Sequence, residues 1–298
     1  MKPLLIVNPA AGQGKPQSNL EAIAAAFRLF EPDIFVTEKA GDAEHVAQAA
    51  GLADEYDCVI VAGGDGTINE AVNGVLAAAA TGRPALPLGI VAAGTQNVLS
   101  HELGLPTGLD DIASMIAAGK TRNIDVGEVD GRYFTLMAGY GFDAIVVRDV
   151  HRPTKELIGS AAYAFTTLAT LTKYSSTAMH LTLDGERISS EAFLVVVANA
   201  ASYAYRQVKI APFASISDGW LDVCVFERPP TDRFGFATQI MALFAGRHLR
   251  DPRVRYYRAR TIEIVSTPPV SAQLDGDPQG FTPASICVRP SALTVFAP

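Results

Sequence analysis

Through residues 1–122, short unbroken apolar runs alternate with longer stretches in which apolar positions recur every three or four residues. Runs of the first kind read as strands buried on both faces, and stretches of the second kind as helices with one face in a core. The pattern predicts strands over 4–7, 34–37, 58–62 and 86–91, and helices over 19–29, 43–52, 98–103 and 110–118. Helical spacing also runs from Asn69 to Leu76. Such alternation defines an α/β domain with a parallel sheet and helices on both faces. From Arg122 the period changes to short strands, at 122–129, 133–138, 181–183, 193–198, 260–265, 270–274, 285–288 and 293–296. Turn pairs such as Asp130-Gly131 and Asp184-Gly185 separate them, the sequence signal of hairpins. With helices over 144–151, 157–172 and 231–244, the second half reads as a β-rich antiparallel sandwich or barrel. Two domains are expected, 1–122 and 123–298, with a linker at 119–123 and no internal repeat.

A chain of 298 residues that is 49% hydrophobic has the material for two cores. Its net charge of −7 argues against a general nucleic-acid binder, which needs a dominant basic surface. Locally the balance reverses: Arg247, Arg250, Arg253, Arg255, Arg258 and Arg260 fall in one short interval, opposed there only by Asp251. Cys58, Cys224 and Cys287 lie far apart in apolar contexts, with neither metal-site spacing nor a disulfide framework, so a reducing cytoplasm is the expected compartment. Residues 1–7 lead straight into a strand without the basic and apolar regions of a secretory signal. The most apolar helical stretches, 157–171 and 234–245, are shorter than the roughly 20 residues a bilayer needs.

Residues 58–70, CVIVAGGDGTINE, pass from an apolar strand through closely spaced glycines into a helix. Ligands of open parallel sheets bind beyond the carboxyl ends of the strands, where this junction meets residues 8–15, Thr37 and residues 92–97. Gly63, Gly64 and Gly66 can take backbone angles closed to other residues and let the main chain approach a ligand. Thr67 is placed to cap a helix whose free N–H groups favour an anion. Asp65 makes sense beside an anion if a cation such as Mg²⁺ lies between them; a tight turn with a solvated Asp is the other reading. NPAAGQGK at 8–15 lacks the P-loop spacing, so any phosphate contact there comes from backbone and Lys15. Gly94, Thr95 and Asn97 follow another buried strand at the same edge. Asp218-Gly219-Trp220-Leu221-Asp222 reads as a turn opening a strand. Asp275-Gly276-Asp277 is either a surface hairpin or a pair of carboxylates brought toward one point.

The run GGDGTINE resembles the GGDGT signature shared by diacylglycerol kinases, sphingosine kinases, NAD kinases and, more loosely, phosphofructokinases. NPAAGQGK is similar to the NPxxGxGK opening of the diacylglycerol kinase catalytic domain, and GIVAAGTQNVLSHELGL at 89–105 to its PxGTxND segment. Asp125-Val126-Gly127, GYGFD at 139–143, DGWLDV at 218–223 and LDGD at 274–277 follow in the order seen in bacterial lipid kinases of this family. The resemblance therefore covers nearly the full chain. It implies a nucleotide-binding domain of NAD kinase/phosphofructokinase type, then a lipid-substrate domain, with ATP and Mg²⁺ as cofactors. The implied nucleotide contacts are Asn8, Gly12, Lys15, Thr37, Gly63, Gly64, Asp65, Gly66, Thr67, Asn69, Gly94 and Thr95. A structural Mg²⁺ is implied at Asp218 with main-chain oxygens of Ser215 and Trp220, and catalytic metal contacts at Asp65 and Asp275. The hydroxyl base is implied to be Asp277 or Asp275, Asp277 standing where the family has Glu. The Asn97-Val98 pair departs from the family's Asn-Asp, which leaves one polar contact of the family's pattern open.

The expectation is an ATP- and Mg²⁺-dependent lipid kinase working between its two domains. The alternatives are a NAD kinase-like enzyme acting on a soluble nucleotide and a catalytically silent nucleotide- or lipid-binding regulator. Diacylglycerol, monoacylglycerol, sphingosine, ceramide and phosphatidylglycerol all present hydroxyls beside long chains, so the sequence leaves the acceptor open. Access to the lipid is expected from the cytoplasmic side by transient docking, through the arginines of 247–260 and the apolar stretch 157–171. The oligomeric state is open, a homodimer included.

Overall fold

The computed structural model describes residues 1–11, 16–142, 144, 176–202, 208–227 and 233–298. They form two compact units, Met1–Val126 with Arg289–Pro298, and Gly127–Val288. The first unit thus runs past the 122/123 boundary read from the sequence and takes in the end of the chain.

In the first unit β1 (Pro3–Val7), β3 (Cys58–Gly63) and β4 (Leu88–Ala92) are buried along nearly their whole length. Unbroken apolar runs require this where helices cover both faces of a sheet. β2 (Asp33–Val36) is the exposed edge strand. All pair in parallel in the order β4-β3-β1-β2. The chain leaves β1 for β2 on one side and returns to β3 on the other, so strand order reverses between β1 and β3. Open α/β sheets bind ligands at such a reversal.

The helices are α1 (Pro16–Phe27), α2 (Asp42–Leu52), α3 (Asp65–Ala79), α4 (Val98–Glu102) and α5 (Leu109–Ala117). In α5, Ile112 and Ile116 lie one turn apart and join Leu5 and Ile60 in the core, while Asp110 and Asp111 sit in the first turn, where the helix dipole favours negative charge. α2 and α3 approach closely because Gly74 has no side chain: an added Cβ would strike the Glu44 carbonyl oxygen and come within 2.9 Å of the Ala47 Cβ.

The second unit is built from β5 (Thr121–Val129), β6 (Arg132–Phe134), β7 (Met137–Gly141), β8 (Thr177–Leu183), β9 (Glu186–Ala198), β10 (Leu221–Glu227), β11 (Val254–Ala259), β12 (Thr261–Thr267), β13 (Ser271–Leu274), β14 (Asp277–Phe281) and β15 (Ala284–Phe296), with a helix at Arg233–Phe244. β5 and β15 begin in one unit and end in the other. The pairing within the unit is antiparallel: β9 with β7, β8 and β10, β10 with β11, β8 with β12, and β13 with β7 and β14. β12 alternates exposed and buried residues, and its Ile262 and Ile264 join Tyr140, Met179, Val195 and Val223 in the second core.

The end of β15 completes the first unit. Val295 pairs in parallel with Leu88, the Ala297 N–H donates to the Lys120 carbonyl, and Asp125 Oδ1 accepts the Ser291 N–H at 2.7 Å. The strands expected at 285–288 and 293–296 are therefore one. Conversely, the strand expected at 133–138 is two, because the N–H groups of Thr135, Leu136 and Met137 turn onto the side chain of Asp275 instead of a neighbouring strand. Asp130-Gly131 and Asp184-Gly185 form the expected tight turns, with positive φ at each residue. Asp143 and, but for Ala144, the helices expected at 144–151 and 157–172 lie outside the described residues.

Candidate active site

The glycine turn after β3 is held by bonds between the carboxyl ends of adjacent strands. The Asn8 N–H donates to the Ala62 carbonyl, the Thr37 N–H to Val7 and the Ala93 N–H to Gly63, each at 2.9 Å. Asn8 Nδ2 donates to Thr67 Oγ1 at 2.8 Å, while Asn8 Oδ1 accepts the Ala10 N–H at 2.9 Å. Asn8, Thr37, Gly63, Gly64, Thr67 and Gly94 thus meet at one sheet edge, and Thr95 follows there as an exposed residue. Asn69 lies farther along α3, buried, with its Oδ1 accepting from Asn73 Nδ2 at 3.0 Å. Gly12 and Lys15 lie outside the described residues.

The glycines serve closeness of approach, and not the unusual backbone angles expected of them. None of Gly63, Gly64, Gly66 and Gly94 has positive φ. An added Cβ would come within 2.6 Å of the Thr67 Cβ at Gly63, and within 2.6 Å of the Gly64 Cα at Gly94, whereas Gly66 faces open space. The role expected for Thr67 also changes. α3 begins at Asp65 with Gly64 as its N-cap, so Thr67 lies within the first turn, and no side chain caps the helix. A long helix left without a side-chain cap at a strand's carboxyl end is a ready anion site.

Asp65 Oδ1 accepts the Val98 N–H at 2.7 Å, which ties the start of α3 to the start of α4. Burial pushes the Asp65 carboxyl up, opposed in part by the N–H groups of Val98, Leu99 and Asn97. Asn97 adopts φ 49 and closes its turn on Gly94, accepting from the Gly94 N–H and donating to its carbonyl, each at 2.9 Å. Its side chain is spent on the turn and not offered to a ligand. Among the described residues no group of three or more His, Cys, Asp or Glu side chains could hold a metal. A lone carboxylate beside an anion site still suits Mg²⁺, which keeps several waters and takes further ligands from substrate phosphates.

In the second unit Asp275 and Gly276 have φ 48 and 91, a tight hairpin turn between β13 and β14. Asp275 Oδ2 accepts the N–H and hydroxyl of Thr135 at 2.7 and 2.9 Å, and Oδ1 accepts the N–H groups of Leu136 and Met137 at 2.9 Å. Burial pushes this carboxyl up while those donors favour the anion. With its acceptor positions filled, Asp275 is a strut for the turn, which argues against the metal and base roles expected of it. Asp277 opens β14 as an exposed residue.

The loop before β10 departs from expectation as well. Asp218 Oδ1 accepts the Trp220 N–H at 3.1 Å and Oδ2 pairs with Arg258. Asp222 is fully buried, with Arg258 Nε 3.6 Å from its Oδ1, and burial pushes its carboxyl up. Two more arginines of this basic stretch are engaged: Arg253 with Asp251 at 2.7 Å and Arg255 with Glu227 at 2.9 Å. Three of the six arginines of the stretch are thus paired with carboxylates. The partners of Arg258 and of Glu70, whose Oε1 accepts the Gly41 N–H at 2.9 Å, were not legible in the sequence because they are remote along the chain.

An uncapped helix at the reversal of a parallel sheet, beside one carboxylate, is an arrangement that suits an anion in an open α/β domain. Residues 2–129 match the diacylglycerol kinase catalytic domain, and residues 137–297 match the YegS C-terminal NAD kinase beta sandwich-like domain, in keeping with the sandwich reading of the second half. The chain belongs to the diacylglycerol kinase family. It is 32% identical to a diacylglycerol kinase of Bacillus subtilis (strain 168), over 94% of this chain and 90% of that protein. To one of Staphylococcus aureus (strain MRSA252) it is 31% identical, over 99% and 91%. A crystal structure of a diacylglycerol kinase from Bacillus anthracis str. Sterne superposes with a TM-score of 0.78 at 28% identity, covering 100% of this chain and 97% of that one.

Proposed function

We propose that this protein transfers a phosphoryl group from ATP to a hydroxyl of a diacylglycerol-like lipid, with Mg²⁺. The observation that carries the reading is the uncapped start of α3 at the reversal between β1 and β3, with Asp65 beside it. The names of the relatives supply the lipid class. In this reading the first unit binds the nucleotide and the second the lipid.

The backbone of Gly63, Gly64, Gly66 and Thr67 receives the phosphates, and Asn8, Thr37, Asn69, Gly94 and Thr95 shape the same edge. Gly12 and Lys15 complete the set. Asp65 is the residue that would hold Mg²⁺, its carboxylate oriented by the bond to Val98. When bound, the ion supplies neutralisation of charge on the transferring phosphoryl group. Asp277 accepts the proton of the acceptor hydroxyl, and Asp275 fixes the turn that presents it. Holding both reactants in place contributes a large share of the acceleration.

Among the described residues no helix is long and apolar enough to cross a membrane. The protein is accordingly proposed to meet lipid as a peripheral protein at the cytoplasmic face. Incubation of a lipid extract with the protein, Mg²⁺ and labelled ATP, followed by mass spectrometry, is expected to give a labelled phosphate ester of a neutral lipid. Label appearing only in a dinucleotide supplied as acceptor would redirect the reading to a NAD kinase-like activity. No ATP consumption would leave a regulator.

A further inference from the structure

The family resemblance implies a structural Mg²⁺ at Asp218, with oxygens of Ser215 and Trp220. The side chains around Asp218 do not suit that ion. One carboxylate oxygen accepts the Trp220 N–H and the other pairs with Arg258 Nη2. The same guanidinium faces the buried Asp222, Nε standing 3.6 Å from Oδ1. Sheet register sets this position, since Asp222 and Arg258 are direct partners in the antiparallel pairing of β10 with β11. Trp220 braces it: Arg258 Cζ lies 5.5 Å from the ring centroid and Arg260 Cζ lies 4.5 Å from it, within the range of cation–π attraction.

The local charges therefore balance within the protein, two carboxylates against two guanidinium groups around one indole. A divalent ion at Asp218 would compete with a guanidinium for the same oxygen and stand against its charge. We propose that Arg258 is the built-in cation of this loop, taking the position and the stabilising task of the divalent ion that the resemblance implies. The guanidinium hydrogen-bonds Asp218 and stands 3.6 Å from Asp222, opposing its charge without a hydrogen bond to it. This inference concerns folding and is independent of the kinase reading.

The chain has a single tryptophan, so intrinsic fluorescence reports on this loop. For the nucleotide-free, full-length protein treated with EDTA, emission is expected to stay unchanged as MgCl2 is added. The melting temperature is expected to be the same in EDTA and in excess MgCl2. Arg258→Gln leaves the two carboxylates without their cation: its melting temperature should fall in EDTA and recover in part with MgCl2, with a saturable change in emission. A saturable Mg²⁺ response of wild-type emission that Asp218→Asn abolishes would overturn the proposal. So would an Arg258→Gln protein that melts like wild type in EDTA and ignores MgCl2. Should Arg258→Gln not fold, the wild-type titration with Asp218→Asn decides alone.

Discussion

Asp65 carries a structural task, the bond to Val98, and in the proposed mechanism a chemical one, and substitution can separate the two. Asp65→Asn keeps an oxygen for the Val98 N–H but deletes the charge, so its melting temperature should stay near wild type while phosphoryl transfer falls by orders of magnitude. Asp65→Ala also releases α4 and should lose about 1 kcal/mol of stability, the usual worth of such a cap. Thermal melts beside turnover assays distinguish the two. The hairpin carboxylates should divide differently. Asp277→Asn is expected to abolish transfer with the fold unchanged, whereas Asp275→Asn turns an amide N–H toward the donors of Thr135, Leu136 and Met137 and should cost about 2–3 kcal/mol in urea melts. Full activity in Asp277→Asn would remove that residue from the mechanism. His248 gives a pH signature. It is buried, donates from Nε2 to the Ile210 carbonyl at 2.9 Å, and burial pushes its pKa down. The unfolded chain, with a value of about 6.5, then binds the proton more readily. Its contribution to stability is whole above that pH and is lost as pH falls toward the folded value. His248→Gln should flatten this acid limb of the melting profile, and an unchanged limb would assign it to other groups.

At the scale of elements, the crossing of two turns at Gly64 and Gly94 shapes the edge proposed to bind nucleotide. Gly94→Ala, which sets a methyl 2.6 Å from the Gly64 Cα, is expected to cost about 1–3 kcal/mol and to weaken ATP binding in calorimetry. Gly66→Ala, facing open space, should leave the melting temperature almost unchanged. The strands and helices of the first unit were legible in the sequence because burial on both faces leaves unbroken apolar runs, as in β1 and β3. The glycine turn was legible as a turn, but its cause was not. Closeness to Gly94 and Thr67 depends on neighbours that spacing does not reveal. Asp275 to Thr135, Asp125 to Ser291 and Arg258 to Asp218 share the same origin: long-range partners chosen by sheet register. The split of the expected strand at 133–138 followed from one such partner. Asn97 was legible as a polar residue at the ligand edge but not as the closure of its own turn, because a polar turn residue reads alike whether it serves its own backbone or a bound molecule.

For the whole molecule, charge and architecture argue against nucleic acid and leave a peripheral encounter with lipid as the proposed mode of access. The net charge is −7, and Arg253, Arg255 and Arg258 are paired with acidic neighbours, so the basic stretch offers less attraction to an anionic surface than its sequence suggests. The central claim is transfer from ATP to a lipid hydroxyl, dependent on Asp65. It is tested most directly by following radiolabelled ATP with a short-chain diacylglycerol in mixed micelles, for wild type and for folded Asp65→Asn. The predicted result is a labelled lipid phosphate from wild type, abolished by EDTA and absent with Asp65→Asn. Labelled lipid at equal rates from both proteins, or none from folded wild type while a soluble dinucleotide is phosphorylated, would contradict it.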